Sequence, residues 1–304
     1  MSDGARLDPD GAARVRALVA LLVVQLLFGT MPVLGKLAIP GFGPDGVVLA
    51  RIAGAALAFS AARVALRLPG VPREGQPRLA VCSALGVVSN QLLFMNGLAR
   101  TSASHAALLT TTIPALTLLV SIAFRIEVPT PRKVLGVVVA GAGAALLISS
   151  REGLAGTATV LGDCLILCNA TVYSFYLVLS RPLLARYHAV PVLSGLFGWG
   201  VVLLVPWLLL TTGGAPAAGL VPTPNAWVAL GLLVLGPTVG SYGLNLYALR
   251  TVSPSTVAVW IYVQPLVAAA LAIPVLGERP TPIFAVSAGL TFTGMWIGRA
   301  EKPA

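Results

Sequence analysis

Charge is scarce in this sequence, at 10% of 304 residues against roughly 25% in an ordinary soluble domain. So few charges cannot clothe a water-facing surface, and no stretch is polar enough for a sizeable soluble domain. Histidine is scarcer still, with His105 and His188 both near the ends of apolar runs. No nucleophile–base pair and no metal-ligand spacing sits inside an apolar run, so the residues of an intramembrane enzyme are missing. The sequence implies no metal and no cofactor. The three cysteines, Cys82, Cys164 and Cys168, imply no disulfide framework. All lie in apolar runs, where cysteine behaves as a small buried hydrophobe. Cys164 and Cys168 share a helix face but have no third ligand nearby to complete a metal site. Ten acidic side chains face twenty basic ones, for a net charge of +10. The basic residues are scattered between apolar runs rather than gathered with aromatic residues on one surface, which argues against nucleic acid as a partner.

What the chain does have is hydrophobic length. Its 57% hydrophobic content and mean hydropathy of +0.91 make the lipid bilayer its solvent and partner, and a span needs about 20 apolar residues. Glycine, proline and charge punctuate ten such segments. The first five run Ala17–Leu37, Val47–Leu66, Leu79–Leu98, Ser104–Phe124 and Val134–Ile148. The second five run Val160–Leu179, Val192–Leu210, Trp227–Leu246, Pro254–Val275 and Pro282–Ile297. Acidic Asp3, Asp8 and Asp10 precede the first span and no clear small-residue cleavage site follows it, so it reads as a retained helix rather than a signal peptide. With a cytoplasmic N-terminus, ten spans place fifteen basic residues inside and five outside, the outer set being Lys36, Arg51, Arg100, Arg151 and Arg279. That bias predicts a multi-pass protein of the plasma membrane with both termini cytoplasmic.

An internal repeat is legible by eye. A shift of 151 residues lays Ser102, Ser104, Pro114, Glu127, Pro129, Thr130, Pro131 and Gly143 on Ser253, Ser255, Pro265, Glu278, Pro280, Thr281, Pro282 and Gly294. A shift of 150 lays Leu85-Gly86 on Leu235-Gly236 and Arg100-Thr101 on Arg250-Thr251. Each half holds five spans, an odd number, so the second half enters the membrane from the opposite side. The expected fold class is therefore an all-α integral membrane protein of ten transmembrane helices arranged as two inverted five-helix repeats. Residues 1–16 form an N-terminal tail, 17–150 the first repeat, 151–298 the second and 299–304 a C-terminal tail. Inverted repeats recur in secondary transporters, where two similar halves open a central site to each face in turn.

The sequence from Arg100 through Thr-Ser-Ala-Ser-His to Pro114, and from Arg250 through Thr-Val-Ser-Pro-Ser to Pro265 and Leu276-Gly-Glu-Arg-Pro-Thr, resembles the drug/metabolite transporter superfamily, in its EamA-domain branch. Gly162-Asp163 at the start of the sixth span and Arg51 near the start of the second add to the resemblance, which runs from about Ala17 to Ile297. It implies a secondary transporter of small organic metabolites, an exporter of amino acids or related amphiphilic compounds first among them. The first span carries no carboxylate of the kind small multidrug pumps use for proton coupling.

Polar side chains are costly in hydrocarbon and face a bundle interior or a watery cavity. Asn169, Tyr173 and Tyr176 form one stripe on the sixth span; Ser241 and Asn245, with Tyr242, mark the eighth; Trp260 and Gln264 mark the ninth. Asn90 and Gln91 on the third span, and Thr111 between its neighbours Thr110 and Thr112 on the fourth, complete a candidate substrate-binding set. Amides and hydroxyls suit a polar or zwitterionic small molecule, and rings suit its apolar part. Interhelical hydrogen bonding accounts for any one of these residues equally well. Pro114 and Pro265, equivalent in the repeat, are candidate hinges. Lys36, Arg51 and Asp163 stand near predicted outer ends and read as solvated anchors, with Asp163 as the candidate for proton coupling. Glu127 and Glu278 read as loop organisers. Two rivals stay open: a channel-like facilitator, although no selectivity-filter repeat is visible, and a carrier of the sugar or nucleotide-sugar type. Monomer and homodimer are equally compatible with the sequence.

Overall fold

A computed structural model describes residues 9–126, 128–149, 159–212, 220–244, 263–279 and 281–297. Among these residues the architecture is helical throughout, with no strand. The apolar run of the first two expected spans forms one continuous helical element, α1 (Pro9–Ala65), interrupted where Gly43 adopts φ 67 and ψ 162. Only glycine takes such a conformation without strain, and Pro44 behind it disfavours helical geometry at position 43. The apolar part, Val15–Ala65, would be roughly 77 Å long if straight, more than twice the ~30 Å of a bilayer core. The break at Gly43 turns it into two arms.

The next element is compound. Helix α2 (Gln76–Ser83) widens into a π-helical stretch, Ala84–Ser89, and continues as α3 (Asn90–Arg100). Helix α4 (Ala103–Thr110) and helix α5 (Ile113–Ala123) follow, separated by a turn at Thr111 and Thr112. Then come α6 (Pro131–Ser149), α7 (Val160–Arg186) and α8 (Ala189–Thr212). Helix α9 (Pro224–Leu233) also widens into a π-helical stretch, Val234–Gly240. Helices α10 (Val263–Leu276) and α11 (Pro282–Ile297) complete the described chain. Seven of these elements are long and apolar enough to cross a membrane, and α10 and α11 are shorter apolar helices. Their outward faces remain hydrophobic, as Leu57 at 73%, Leu235 at 69% and Leu210 at 86% exposure illustrate. A surface of that kind suits lipid and not water.

The main core gathers Ile52 and Phe59 from α1, Leu79 and Cys82 from α2, Met95 and Leu98 from α3, Ile166 from α7 and Phe197 from α8. Cys82 is buried there, as its apolar context predicts, but Cys164 and Cys168 are exposed on α7. An apolar run on a lipid-facing helix marks lipid contact as readily as interior packing.

Helices α6 and α11 pack along each other through a glycine on each. A Cβ on Gly143 would lie 2.8 Å from the Ser287 carbonyl, and a Cβ on Gly294 would lie 2.5 Å from the Gly136 carbonyl. Both obstacles are backbone, so neither can swing aside, and small residues are what permit such approach. These two glycines are also a matched pair in the repeat. Gly294→Val should destabilise the protein by about 1–3 kcal/mol, measured as a lowered melting temperature in detergent, whereas the same change at Gly289, where a Cβ meets nothing within 4 Å, should leave it near that of the parent.

Candidate functional site

The two π-helical stretches, Ala84–Ser89 and Val234–Gly240, occupy equivalent places in the repeat, and π-helical geometry often marks functional positions. Immediately after the first stretch come Asn90 and Gln91; the second contains Thr238 and leads to Tyr242. Asn90, Gln91 and Tyr242 line a cavity of about 150 Å³, and Thr238 is hydrogen-bonded to its lining residue Arg51. Its wall takes Gln25, Phe28, Met31 and Arg51 from α1, Asn90, Gln91 and Phe94 from α3, and Thr110 and Ile113 from the α4–α5 break. Opposite them stand Asn169 and Tyr173 of α7, Tyr242, and Gln264 of α10.

Hydrogen bonds fix much of this wall. The Asn169 side-chain amide donates to the Asn90 carbonyl at 2.7 Å, and that of Gln264 donates to the Gln25 side-chain oxygen at 2.6 Å. Arg51 donates from Nε to the Thr238 hydroxyl at 3.0 Å and from Nη2 to the Met31 sulfur at 3.3 Å. Thr238 in turn donates to the Leu233 carbonyl at 2.9 Å, a bond made available by the wider helical turn. Gln91 is buried, and its side-chain oxygen has no hydrogen-bond partner. The cavity thus combines aromatic rings, amides and one cation.

Six of the sequence-selected residues, Asn90, Gln91, Asn169, Tyr173, Tyr242 and Gln264, are brought together here. Thr111 is not: it is buried behind the wall, its hydroxyl bonded to the Leu108 carbonyl at 2.6 Å, and its neighbour Thr110 lines the cavity instead. The α4–α5 turn rotates the two apart. Tyr176 also lies behind the wall, packed on Gly86 and tilted against Tyr173 at 5.4 Å between ring centroids. Asn245 and Trp260 lie outside the described residues, as does Glu127. Pro114 stands in the first turn of α5, immediately after the break, and Pro265 is buried near the start of the described part of α10.

Arg51 is the clearest departure from the sequence reading. It is 4% exposed and no solvated anchor, because the second arm of α1 begins directly after Gly43. Eight residues of helix place Arg51 roughly 12 Å inside that arm. Lys36 is half-buried. Asp163 is also buried, at 3%. It accepts a short hydrogen bond from the Thr101 hydroxyl, and its other oxygen lies 3.2 Å from Nδ1 of His105. Beside this pair, Glu278 caps α4, accepting from the backbone N–H groups of Ala103 at 2.6 Å and Ser104 at 3.0 Å and from the Ser104 hydroxyl at 2.6 Å. Two carboxylates from the second half of the chain therefore hold one helix end of the first half.

Gln25, Phe28, Met31 and Phe94 were absent from the sequence-selected set. A lone amide in an apolar span signalled Gln25; the other three carry no signal that separates cavity lining from core. The two neighbouring tyrosines give a direct test. Tyr176→Ala removes a buried ring and should cost about 3 kcal/mol, read as a lowered melting temperature, while Tyr173→Ala, facing open space on one side, should cost clearly less.

A family model described as the EamA-like transporter family matches the chain twice, over residues 15–149 and 160–298. A probable terminal-alkyne amino-acid exporter from Streptantibioticus cattleyicolor is 30% identical over 264 residues, which is 86% of this chain and 86% of that protein. An uncharacterized transporter from Archaeoglobus fulgidus is 28% identical over 173 residues, 57% of this chain and 59% of that protein. A solved crystal structure shares the fold, with a TM-score of 0.63 at 20% identity over 92% of this chain and 95% of its own. Two family matches in tandem, on a bundle of long apolar helices around a polar cavity, settle the assignment: the chain belongs to the EamA-like transporter family and is a multi-pass membrane protein acting as a secondary transporter of small metabolites.

Proposed function

We propose that the protein exports small amphiphilic metabolites, amino acids first among them, across the plasma membrane by alternating access. The observation that carries this reading is the cavity, whose wall takes Gln25, Asn90 and Gln91 from the first family match and Asn169, Tyr173, Tyr242 and Gln264 from the second. A site shared between two repeats is where rocking of one half against the other changes access most. The amino-acid exporter among the relatives supports the same cargo class and direction. Counting the arms of α1 separately and adding the shorter α10 and α11 to the seven long helices supports a reading of ten crossings. Ten crossings with basic residues concentrated in alternate connections support two inverted halves and cytoplasmic termini.

The contact between equivalent helices α6 and α11, and the equivalent π-helical stretches, support the symmetry that alternation requires. We assign the protein no chemical reaction, only the movement of cargo. Asp163, buried against His105 and joining α7 to α4, is the proposed site of proton coupling.

Mass-spectrometric profiling of medium and cytosol from expressing cells tests the transport reading. One metabolite class should accumulate outside cells with the wild-type protein, and Trp260→Ala or Asn245→Ala should reduce it several-fold at equal membrane abundance. Unchanged profiles in the wild type would sink the exporter reading. In proteoliposomes, Asp163→Asn should abolish uphill export driven by a pH gradient while exchange at equal pH persists. Uphill export that survives the change would remove Asp163 from the coupling step.

A further inference from the structure

The chemistry of the cavity goes further than its location. We infer that Arg51 is the carboxylate-binding pole of the cavity and that the cargo is a small carboxylate with an apolar body. This rests on the transport reading above and names the substrate class for that same site.

A guanidinium keeps its positive charge under physiological conditions, and burying an unpaired charge is costly. Arg51 is 4% exposed, yet its protein partners are a hydroxyl and a thioether, both neutral. Those contacts use two of the five N–H donors of the group. The fork is thereby fixed in place without being neutralised.

Among the described residues, no carboxylate pairs with Arg51. Asp45 accepts from the Asn96 amide, Glu74 pairs with Arg186, Asp163 is held by Thr101 and His105, and Glu278 caps α4. The remaining acidic residues, Asp3, Asp8, Asp10, Glu127, Glu152 and Glu301, belong by sequence to the ends of the chain and to connections between apolar segments. The stretch 245–262 contains none. The counter-charge must therefore come from the cargo, and a forked guanidinium matches a carboxylate through two parallel hydrogen bonds.

A second polar atom points to the same ligand. The Gln91 side-chain oxygen is buried on the cavity wall without a donor, and leaving such an acceptor unmade is costly. A carboxylate whose neighbouring carbon carries an ammonium or hydroxyl group would satisfy both. Phe28, Phe94 and Tyr173 supply the surface for its apolar body. A cavity of about 150 Å³ is of the size that admits benzene in an engineered protein core. It suits a molecule of amino-acid dimensions.

Thermal stabilisation of the purified protein tests this with three probes that differ only in their poles: L-phenylalanine, 3-phenylpropanoate and 2-phenylethylamine. Both carboxylates should raise the melting temperature in a saturable manner and the amine should not. Arg51→Gln should abolish the response to both carboxylates. Arg51→Lys, which keeps the charge and loses the fork, should weaken binding about ten-fold and remains informative if the glutamine variant fails to fold. Stabilisation by the amine equal to that by the carboxylates, carboxylate affinity unchanged in either variant, or no response to either carboxylate would overturn the inference. The metabolite profile separates the two levels: export by the wild type with Arg51 irrelevant to carboxylates removes only this inference, whereas absent export removes the transport reading itself.

Discussion

Lipid offers no hydrogen bonds, so a helix crossing it must satisfy its own backbone, and irregular backbone is tolerated only where protein or a watery cavity supplies partners. This constraint organises the structure. Among the described residues, the departures from α-helical geometry within apolar segments are the break at Gly43, the π-helical stretches Ala84–Ser89 and Val234–Gly240, and the α4–α5 turn. Three of the four adjoin the cavity. Asn90 follows the first π-helical stretch and its carbonyl accepts from Asn169; Thr238 within the second serves Arg51. At the α4–α5 turn, the hydroxyls of Thr110, Thr111 and Thr112 donate back to the carbonyls of Ala107, Leu108 and Leu109. The turn keeps its polar groups satisfied while Pro114 begins the next helix. Breaking the helix and building the site are one operation here.

The fourth departure explains why a cation sits where it does. A straight second arm beginning near position 47, as apolar content alone suggests, puts Arg51 at a water-facing end. Its arm begins after Gly43 instead, because that glycine with Pro44 forces the turn, and Arg51 is carried inward to meet Thr238 and Met31. Hydropathy averages over a window and cannot see a turn set by two residues. The same limit hid Asp163, which counts as a helix-start residue in the sequence but is enclosed by α4.

Other features were legible because they depend on identity at fixed spacing. The eight residues that recur at an offset of 151 mark places where the two halves do equivalent things: Gly143 and Gly294 face each other's helices, and Pro114 and Pro265 both stand near the cavity, beside the lining residues Ile113 and Gln264. The stripe on α7 was legible in part, since a four-and-three spacing aligns side chains on one face without saying how deep that face goes. Asn169 and Tyr173 reach the cavity, and Tyr176, one turn further along, packs behind it on Gly86. Phe28, Met31 and Phe94 were illegible for the opposite reason: apolar residues that line a cavity and those that fill a core are the same residue types.

The strengths of the contacts between the halves fit the proposed alternation. At the end of the bundle where α4 begins, the halves are joined by polar bonds: the Glu278 cap, the Thr101–Asp163–His105 link, and the Thr159 backbone N–H donating to the Arg100 carbonyl at 2.9 Å. A helix cap contributes about 0.5–2 kcal/mol, and such bonds exchange readily for water when an end opens. The α6–α11 contact is different in kind, because its glycines bring the two backbones into direct contact, where no side chain can swing aside. States that interconvert must lie within a few kcal/mol of one another. A device with exchangeable polar closures at both ends, Glu74 pairing with Arg186 at the other, and close backbone packing along one side meets that requirement: the packed helices can serve as the axis, and the ends can open in turn. A cargo carboxylate on Arg51 would then weigh on the balance directly, since the one buried charge that the described residues bring to the cavity wall is neutralised when the site is filled.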